Sequence, residues 1–267
     1  ARGGERRQGT PPARGTGERP PPARGRASRG GGRSQGRERG RQNENGTPAQ
    51  NGPRRSPAAR GEPRRESAAD PLGAGPEAAG HDAVLCQGVN DPRGVGIVGM
   101  HQDPAFFAGP FRELLNAGAF GDLLLKPELT MFGRTYASGF ETDLEDWLLQ
   151  RPRRTVLTPA WPWGIWYPLR RNGAFARLTP QEQGAVIREH SVRGRAYGEA
   201  DLAHDVRLAC HGLDVHDNDF VIGLCGRELH PLSHLVQAMR KTAQTSQYLQ
   251  TLGPFFVGHA IWQSSLR

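Results

Sequence analysis

Between residues 163 and 214 the chain brings together a tyrosine, Tyr167, a basic pair, Arg170 and Arg171, and a histidine, His190, just ahead of an apolar stretch that starts near Val206. Guanidinium groups suit bidentate recognition of carboxylates and other oxyanions. An imidazole can hold a metal or move a proton near neutral pH. His190 falls in a segment whose start is announced by Thr179, Pro180 and Glu182. There a hydroxyl caps free backbone N–H groups, proline fills the first turn without losing a hydrogen bond, and the glutamate reaches back to the cap. In the helix that follows, Val186, Ile187 and His190 are three or four residues apart and share a face, while Arg188 and Glu189 point elsewhere. A histidine on such a face is either a core residue hydrogen-bonded to a carbonyl or an axial metal ligand, and the pattern by itself favours the core residue.

The elements that must position these groups follow from hydrophobic periodicity and punctuation. The first half reads as a strand over Val95–Met100, a helix over 104–116 interrupted at Gly109-Pro110, a strand over 130–138 and a helix over 143–150. In the second half a strand over 164–169, a helix over 180–193, strands over 206–211 and 220–225, a long helix over 233–249 and a strand over 255–262 repeat that order. Gly253-Pro254 stops the long helix. Such an interleaving suggests an α+β fold: two ferredoxin-like units whose sheets combine into a β-barrel flanked by helices. Gly94, Gly96 and Gly99 form a literal GxGxxG, but His101 to Pro104 follow it where a dinucleotide fingerprint opens a helix, so the stretch reads as a strand.

Four segments, TPAWPWGIWYPLRR, IREHSVRGRAYGEA, ACHGLDVHDNDFVIGL and MRKTAQTSQYLQTLGPFFVG, stand in an order that resembles the chlorite dismutase and coproheme decarboxylase superfamily from about residue 91 onward. The resemblance implies the same barrel fold, a subunit that assembles into homo-oligomers, commonly pentamers, and an iron porphyrin cofactor, haem b or coproheme. Tyr167 matches the decarboxylase tyrosine that forms the reactive radical, Arg171 replaces the family lysine, and His190 matches the iron ligand. The family often orients that histidine with a carboxylate from the long helix, where Thr242, Ala243 and Gln244 stand here. On the distal side, chlorite dismutases carry an arginine and many decarboxylases a glutamine seven residues before the glycine of the GLD motif. Counting back from Gly212 gives Asp205, with Arg207 on the same side by strand alternation. An aspartate there would repel chlorite. Arg153, Arg154, Arg170 and Arg171 flank the tyrosine-bearing strand and either grip carboxylates or form a solvated basic rim. With Arg207, the first three are the expected cofactor-binding set.

The expected activity is therefore peroxide-dependent decarboxylation of coproheme to haem b, with Tyr167, Arg171 and Asp205 as catalytic residues and hydrogen peroxide as co-substrate. Chlorite dismutation and a non-catalytic haem carrier or sensor are the alternatives. His230 and His234 stand i, i+4 but lack a third metal ligand. Trp161, Trp163 and Trp166 alternate in part and most simply pack a core, although they could line a porphyrin.

Bulk composition separates two regions. Of the 35 basic and 27 acidic residues, 17 and 8 fall in residues 1–80, so that segment carries +9 and the rest −1. Rich in Arg, Gly and Pro, with PPARG at 11–15 and 21–25, it buries too little apolar surface to offset its ordering entropy and is expected to be disordered. Its charge would attract nucleic acid, but no aromatic residue interleaves to stack on bases. Residues 81–267 form the expected globular domain, divided into halves at about 81–160 and 161–267. No run of about eighteen apolar residues is present, so no membrane span is expected. Cys86, Cys210 and Cys225 lack metal spacing and fit reduced thiols of a cytoplasmic protein, and Cys210 and Cys225, in strand-like apolar runs, read as small core residues.

Overall fold

β1 (Asp82–Gly88) is a strand that periodicity does not announce: Ala83, Val84, Leu85 and Cys86 are all buried, so no polar residue alternates to mark a solvent face. The computed structural model describes residues 69–78 and 80–266, which belong to one unit spanning residues 59–267. β1 pairs with β2 (Val95–Met100) and β7 (Phe256–Gln263). β7 also pairs with β3 (Trp163–Arg171), which pairs in turn with β5 (Phe220–Gly226) and β6 (Leu249–Leu252), and β4 (His204–Ala209) lies at the edge against β5. The result is one curled antiparallel sheet in the order β2-β1-β7-β3-β5-β4, flanked by helices, a mixed α+β architecture as expected.

Alternation along β3 assigns the two faces of the sheet. Trp166 points to one face, where it joins Val84, Cys86, Val206, Val221 and Cys225 beneath Val156 and Leu157 of α5 (Arg151–Leu157). Its indole lies so close over β5 that a Cβ at Gly223 would come within 2.4 Å of the ring, which is why a glycine faces it. Ile165, Tyr167 and Leu169 point to the other face, against Leu232 and Leu235 of α8 (Leu229–Met239) and Tyr197 of α7 (Pro180–Glu199). Further along this second face, Leu85 meets Leu72 of α1 (Ala69–Ala78) and Phe120 of α4 (Gly118–Gly121). Burial of the three cysteines pushes their thiols up, to about 12 for Cys86 and Cys225 and about 11 for Cys210.

Several boundaries differ from expectation, each for a local reason. The helix of residues 104–116 is two short ones, α2 (Ala105–Ala108) and α3 (Pro110–Leu115), broken at Gly109 as expected. Instead of a strand over 130–138 there is a single bridge between Arg134 and Ala209, because this polar, Gly-containing stretch finds no second partner strand. The helix expected to stop at Gln150 continues: a π-helical turn (Asp146–Gln150) runs into α5, since Pro152 sits in its first turn, where a missing N–H costs nothing. After a single turn, α6 (Gly173–Ala176), α7 starts at the expected capping box of Thr179 and Glu182 but reaches Glu199. The long helix over 233–249 is split by extended backbone at Thr242 (φ −75°, ψ 152°) into α8 and α9 (Ala243–Gln247).

The sequence leads one to expect disorder through residue 80, yet Ala69–Ala78 is helical and contributes buried Leu72. Apolar residues in a Pro- and Gly-rich context suffice once a hydrophobic sheet face is there to receive them. Residues 1–68, which hold the rest of the basic segment and both PPARG repeats, lie outside the described residues. Leu72→Ala is expected to destabilise the folded unit by about 2–5 kcal/mol, read from chemical denaturation midpoints.

Candidate functional site

Antiparallel pairing places residues opposite one another on the same face. Tyr167 faces Ile222 on β5, and Ile222 faces Arg207 on β4, so the three form one row across the sheet. Two strand spacings put Tyr167 and Arg207 about 10 Å apart by backbone. The neighbouring row is Ile165, Leu224 and Asp205. Tyr167, Asp205 and Arg207 thus look out from one face, as strand alternation predicts. Arg171 shares that face, four residues along β3, with its guanidinium over the rings of Phe175 (4.4 Å) and Phe220 (4.7 Å).

Tyr167 is 7% exposed and stacks on Phe255 at 4.7 Å. Burial holds its phenol well above the usual tyrosine range, and the Asp205 carboxylate adds to the effect while Arg240 opposes it. The phenol therefore stays protonated at neutral pH. Its hydroxyl bonds no neighbouring group among the described residues and is not sealed from solvent, since no buried side-chain oxygen or nitrogen there lacks a partner.

His190 reaches the same neighbourhood from α7, which packs against β4, α8 and α9. It is half-buried with Val186, whereas Ile187 is 44% exposed, so the inward stripe of α7 runs through i, i+4 positions and leaves Ile187 out. Burial lowers the His190 pKa, as does the Arg207 guanidinium, against the smaller pull of Asp205 and Glu189. The ring Nδ1 lies 3.3 Å from the Thr242 hydroxyl, and Nε2 has no partner among the described residues. That is a donor set suited to a metal: a neutral imidazole, tied at one nitrogen and open at the other. Asp205 is not a lone carboxylate. Arg151 donates to it at 2.7 Å and Arg207 at 2.8 Å, and both guanidinium groups lie on the Trp147 ring. The three side chains together carry +1, which corrects the expectation that this position repels anions.

The remaining arginines are dispersed. Arg170 points to the opposite face from Tyr167 and pairs with Asp217. Arg153 makes a two-pronged pair with Asp82 at 2.5 and 2.9 Å, on the α5 face of the sheet, and Arg154 pairs with Asp146 at 2.6 Å. The structure does not bring these three to Tyr167 and His190. Trp163 meets His259 edge-on at 4.7 Å on the Tyr167 face, while Trp161 stacks on His204 at 3.5 Å. His234 is bonded to the Tyr197 hydroxyl, and no cluster of three metal-ligating side chains of the His, Cys, Asp and Glu types occurs among the described residues.

A family model described as chlorite dismutase matches residues 110–261, more than half of the chain. The chain belongs to the chlorite dismutase family. Its fold is that of solved chlorite dismutase-like structures. One is a heme-binding protein from Thermus thermophilus, with 19% identity and a TM-score of 0.52 over 69% of this chain and 74% of that one. A chlorite dismutase variant from Candidatus Nitrospira defluvii in complex with cyanide is similar at 14% identity and a TM-score of 0.53, over 71% and 81% of the two chains. A second variant of that enzyme gives 18% identity and 0.51 over 73% and 80%. No curated protein matches the chain closely.

Within this chlorite dismutase family fold, sequence reading passed over Tyr136, Trp147 and Arg151. Tyr136 lies 5.5 Å from Phe220, its backbone carbonyl accepts from the Trp147 indole, and Trp147 in turn supports Arg151 and Arg207. Only Arg151 left a signal, being two residues before Arg153 and so on another side of the helix. In the ligand-free protein, His190 is expected to titrate below its ordinary 6.5. The unfolded chain takes the proton first, so the stability this residue supports is present above the ordinary histidine value and is lost as pH falls through the lowered folded one. NMR titration of the His190 ring checks the direction, and His190→Gln should flatten that part of the stability profile.

Proposed function

We propose that the chain is a haem-dependent oxidoreductase that decarboxylates coproheme propionates at the expense of hydrogen peroxide. What supports this reading is the convergence, on one sheet face and the helix over it, of an imidazole with an open Nε2 and a largely buried phenol whose hydroxyl bonds no neighbouring side chain. His190 Nε2 would hold the iron. A bound iron porphyrin supplies the oxidising chemistry on meeting peroxide. Tyr167 then gives up an electron together with its hydroxyl proton, because its raised pKa keeps that proton in place until oxidation. Each propionate that becomes a vinyl group loses carbon dioxide, one proton and two electrons, and peroxide takes up those two electrons with that proton and one from solvent to give two waters. Arg171 donates its backbone N–H to Asp219 at 2.8 Å and pairs its guanidinium with the same carboxylate at 3.7 Å, and from between two aromatic rings that loosely held cation would orient a propionate on the same face.

One observation favours a second reading, chlorite dismutation: Arg207 stands in the Tyr167 row, and the Arg151–Asp205–Arg207 group has a net positive charge that would hold chlorite. A carrier or sensor is the third. Adding peroxide to the coproheme complex of the full chain should release carbon dioxide stepwise with the matching mass losses. Tyr167→Phe should stop this while keeping the pigment, and His190→Ala should abolish or shift the Soret band. Oxygen evolution from chlorite with coproheme left intact would select the second reading, and pigment binding with neither reaction the third.

The subunit is proposed to form a homo-oligomer, pentameric in the family pattern. Leu124, Leu125 and Phe140 expose 89%, 70% and 91% of their surface in the single chain, more apolar area than one loop region commonly leaves to water. Light scattering of the purified protein should give a mass several times that of the chain, and Phe140→Asp should reduce it.

A further inference from the structure

We propose that Thr242 sets the tautomer and ring orientation of His190, its hydroxyl oxygen accepting a hydrogen bond from Nδ1–H so that Nε2 presents its lone pair. The inference rests on the reading of His190 as the iron ligand only for its consequence, not for the hydrogen bond itself. Thr242 is 0% exposed, so water does not compete for its side chain. A hydroxyl has one hydrogen to give. The shortest acceptor within reach is the Met239 carbonyl at 2.8 Å, which lies three residues back at the end of α8. The Thr245 hydroxyl is a second acceptor but lies farther away, at 3.4 Å, so with the hydrogen on the Met239 carbonyl the oxygen is left to accept from His190 Nδ1 at 3.3 Å. The ring nitrogen facing Thr242 must then carry the proton.

The surrounding backbone makes this arrangement rigid. Thr242 occupies the extended joint between α8 and α9, its own N–H bonded to Met239 and its carbonyl accepting from both the N–H and the hydroxyl of Ser246. Glu189, the residue next to His190, accepts the Ala243 N–H at 3.0 Å, the first amide of α9. Two successive residues of α7 are thereby pinned to two successive residues of the joint, and the imidazole cannot turn over without breaking the contact. Thr242 acts as a positioning residue. A neutral hydroxyl orients the ring without drawing its proton away, whereas a carboxylate would raise the basicity of the ligand. Thr242 thus combines a fixed lone pair with an ordinary, weakly donating imidazole.

The test compares Thr242→Val, which keeps the shape and removes the acceptor, with Thr242→Ser, which keeps it. Nitrogen-15 correlation spectra of the ligand-free full chain should show His190 protonated at Nδ1 in the wild type and in the serine variant, and a loss of that tautomer in the valine variant. Loaded with ferrous haem, the valine variant should shift its iron–histidine stretching band and the serine variant should not. A wild-type spectrum with the proton on Nε2 overturns the proposal without any variant, which keeps it falsifiable if valine at 242 prevents folding. An unchanged tautomer in a folded valine variant overturns it as well. If His190→Ala leaves the Soret band unaltered, the ligand reading fails, while the ligand-free spectra still decide what Thr242 does.

Discussion

Pairing of β3 with β5, and of β5 with β4, is the constraint on which the site depends. Register in an antiparallel sheet is binary: a slip of one residue sends every side chain to the opposite face. Here the register is held by matching burial on both faces at once. On one, Trp166 occupies the space that Gly223 leaves, and on the other Ile165, Tyr167 and Leu169 fit beneath α8. A shift of β5 by one would drive a side chain into the indole and put Arg207 among apolar residues. The row Tyr167, Ile222, Arg207 is therefore a by-product of core packing, and the chemistry inherits its geometry from the hydrophobic effect.

The second constraint is the clamp between α7 and the joint that follows α8. α7 buries no side chain fully, so it contributes less to stability through apolar area than its length suggests. It is held instead by Glu189, His190 and Tyr197, each meeting a polar partner on α8, α9 or the joint between them. Such a helix can carry a histidine at half burial without sealing it, which leaves one ring nitrogen open. The same half burial keeps the imidazole neutral.

Electrostatics at the rim of β4 depend on association rather than on any one residue. Asp205 on its own would oppose anions. Flanked by Arg151 and Arg207, and with both guanidinium planes lying over Trp147, it becomes a brace that fixes two cations. The pairs are about one-third exposed, so their contribution to stability is small, of the order of 0–1 kcal/mol each. Their effect is to leave a net positive charge on the sheet face that carries Tyr167.

The order of elements, the capping box that starts α7, the strand alternation that aligns Asp205 with Arg207 and membership of one family were all legible in the sequence, because each rests on short segments or spacings of a few residues. Strand β1 and helix α1 were not, since a strand buried on both faces shows no alternation and α1 needs a neighbouring sheet to be worth forming. Nor did local spacing reveal that Arg153 and Arg170 turn away from the site or that Arg151 reaches Asp205 from 54 residues away, and Thr242, which the resemblance set with Ala243 and Gln244 as the neighbours of His190, is singled out only by its contact across 52 residues. Sequence by itself determined which residue types were available and their local facing. Only the tertiary structure decided which of them meet, because charge pairing and hydrogen bonding across distant segments depend on ångström-scale approach that packing alone sets.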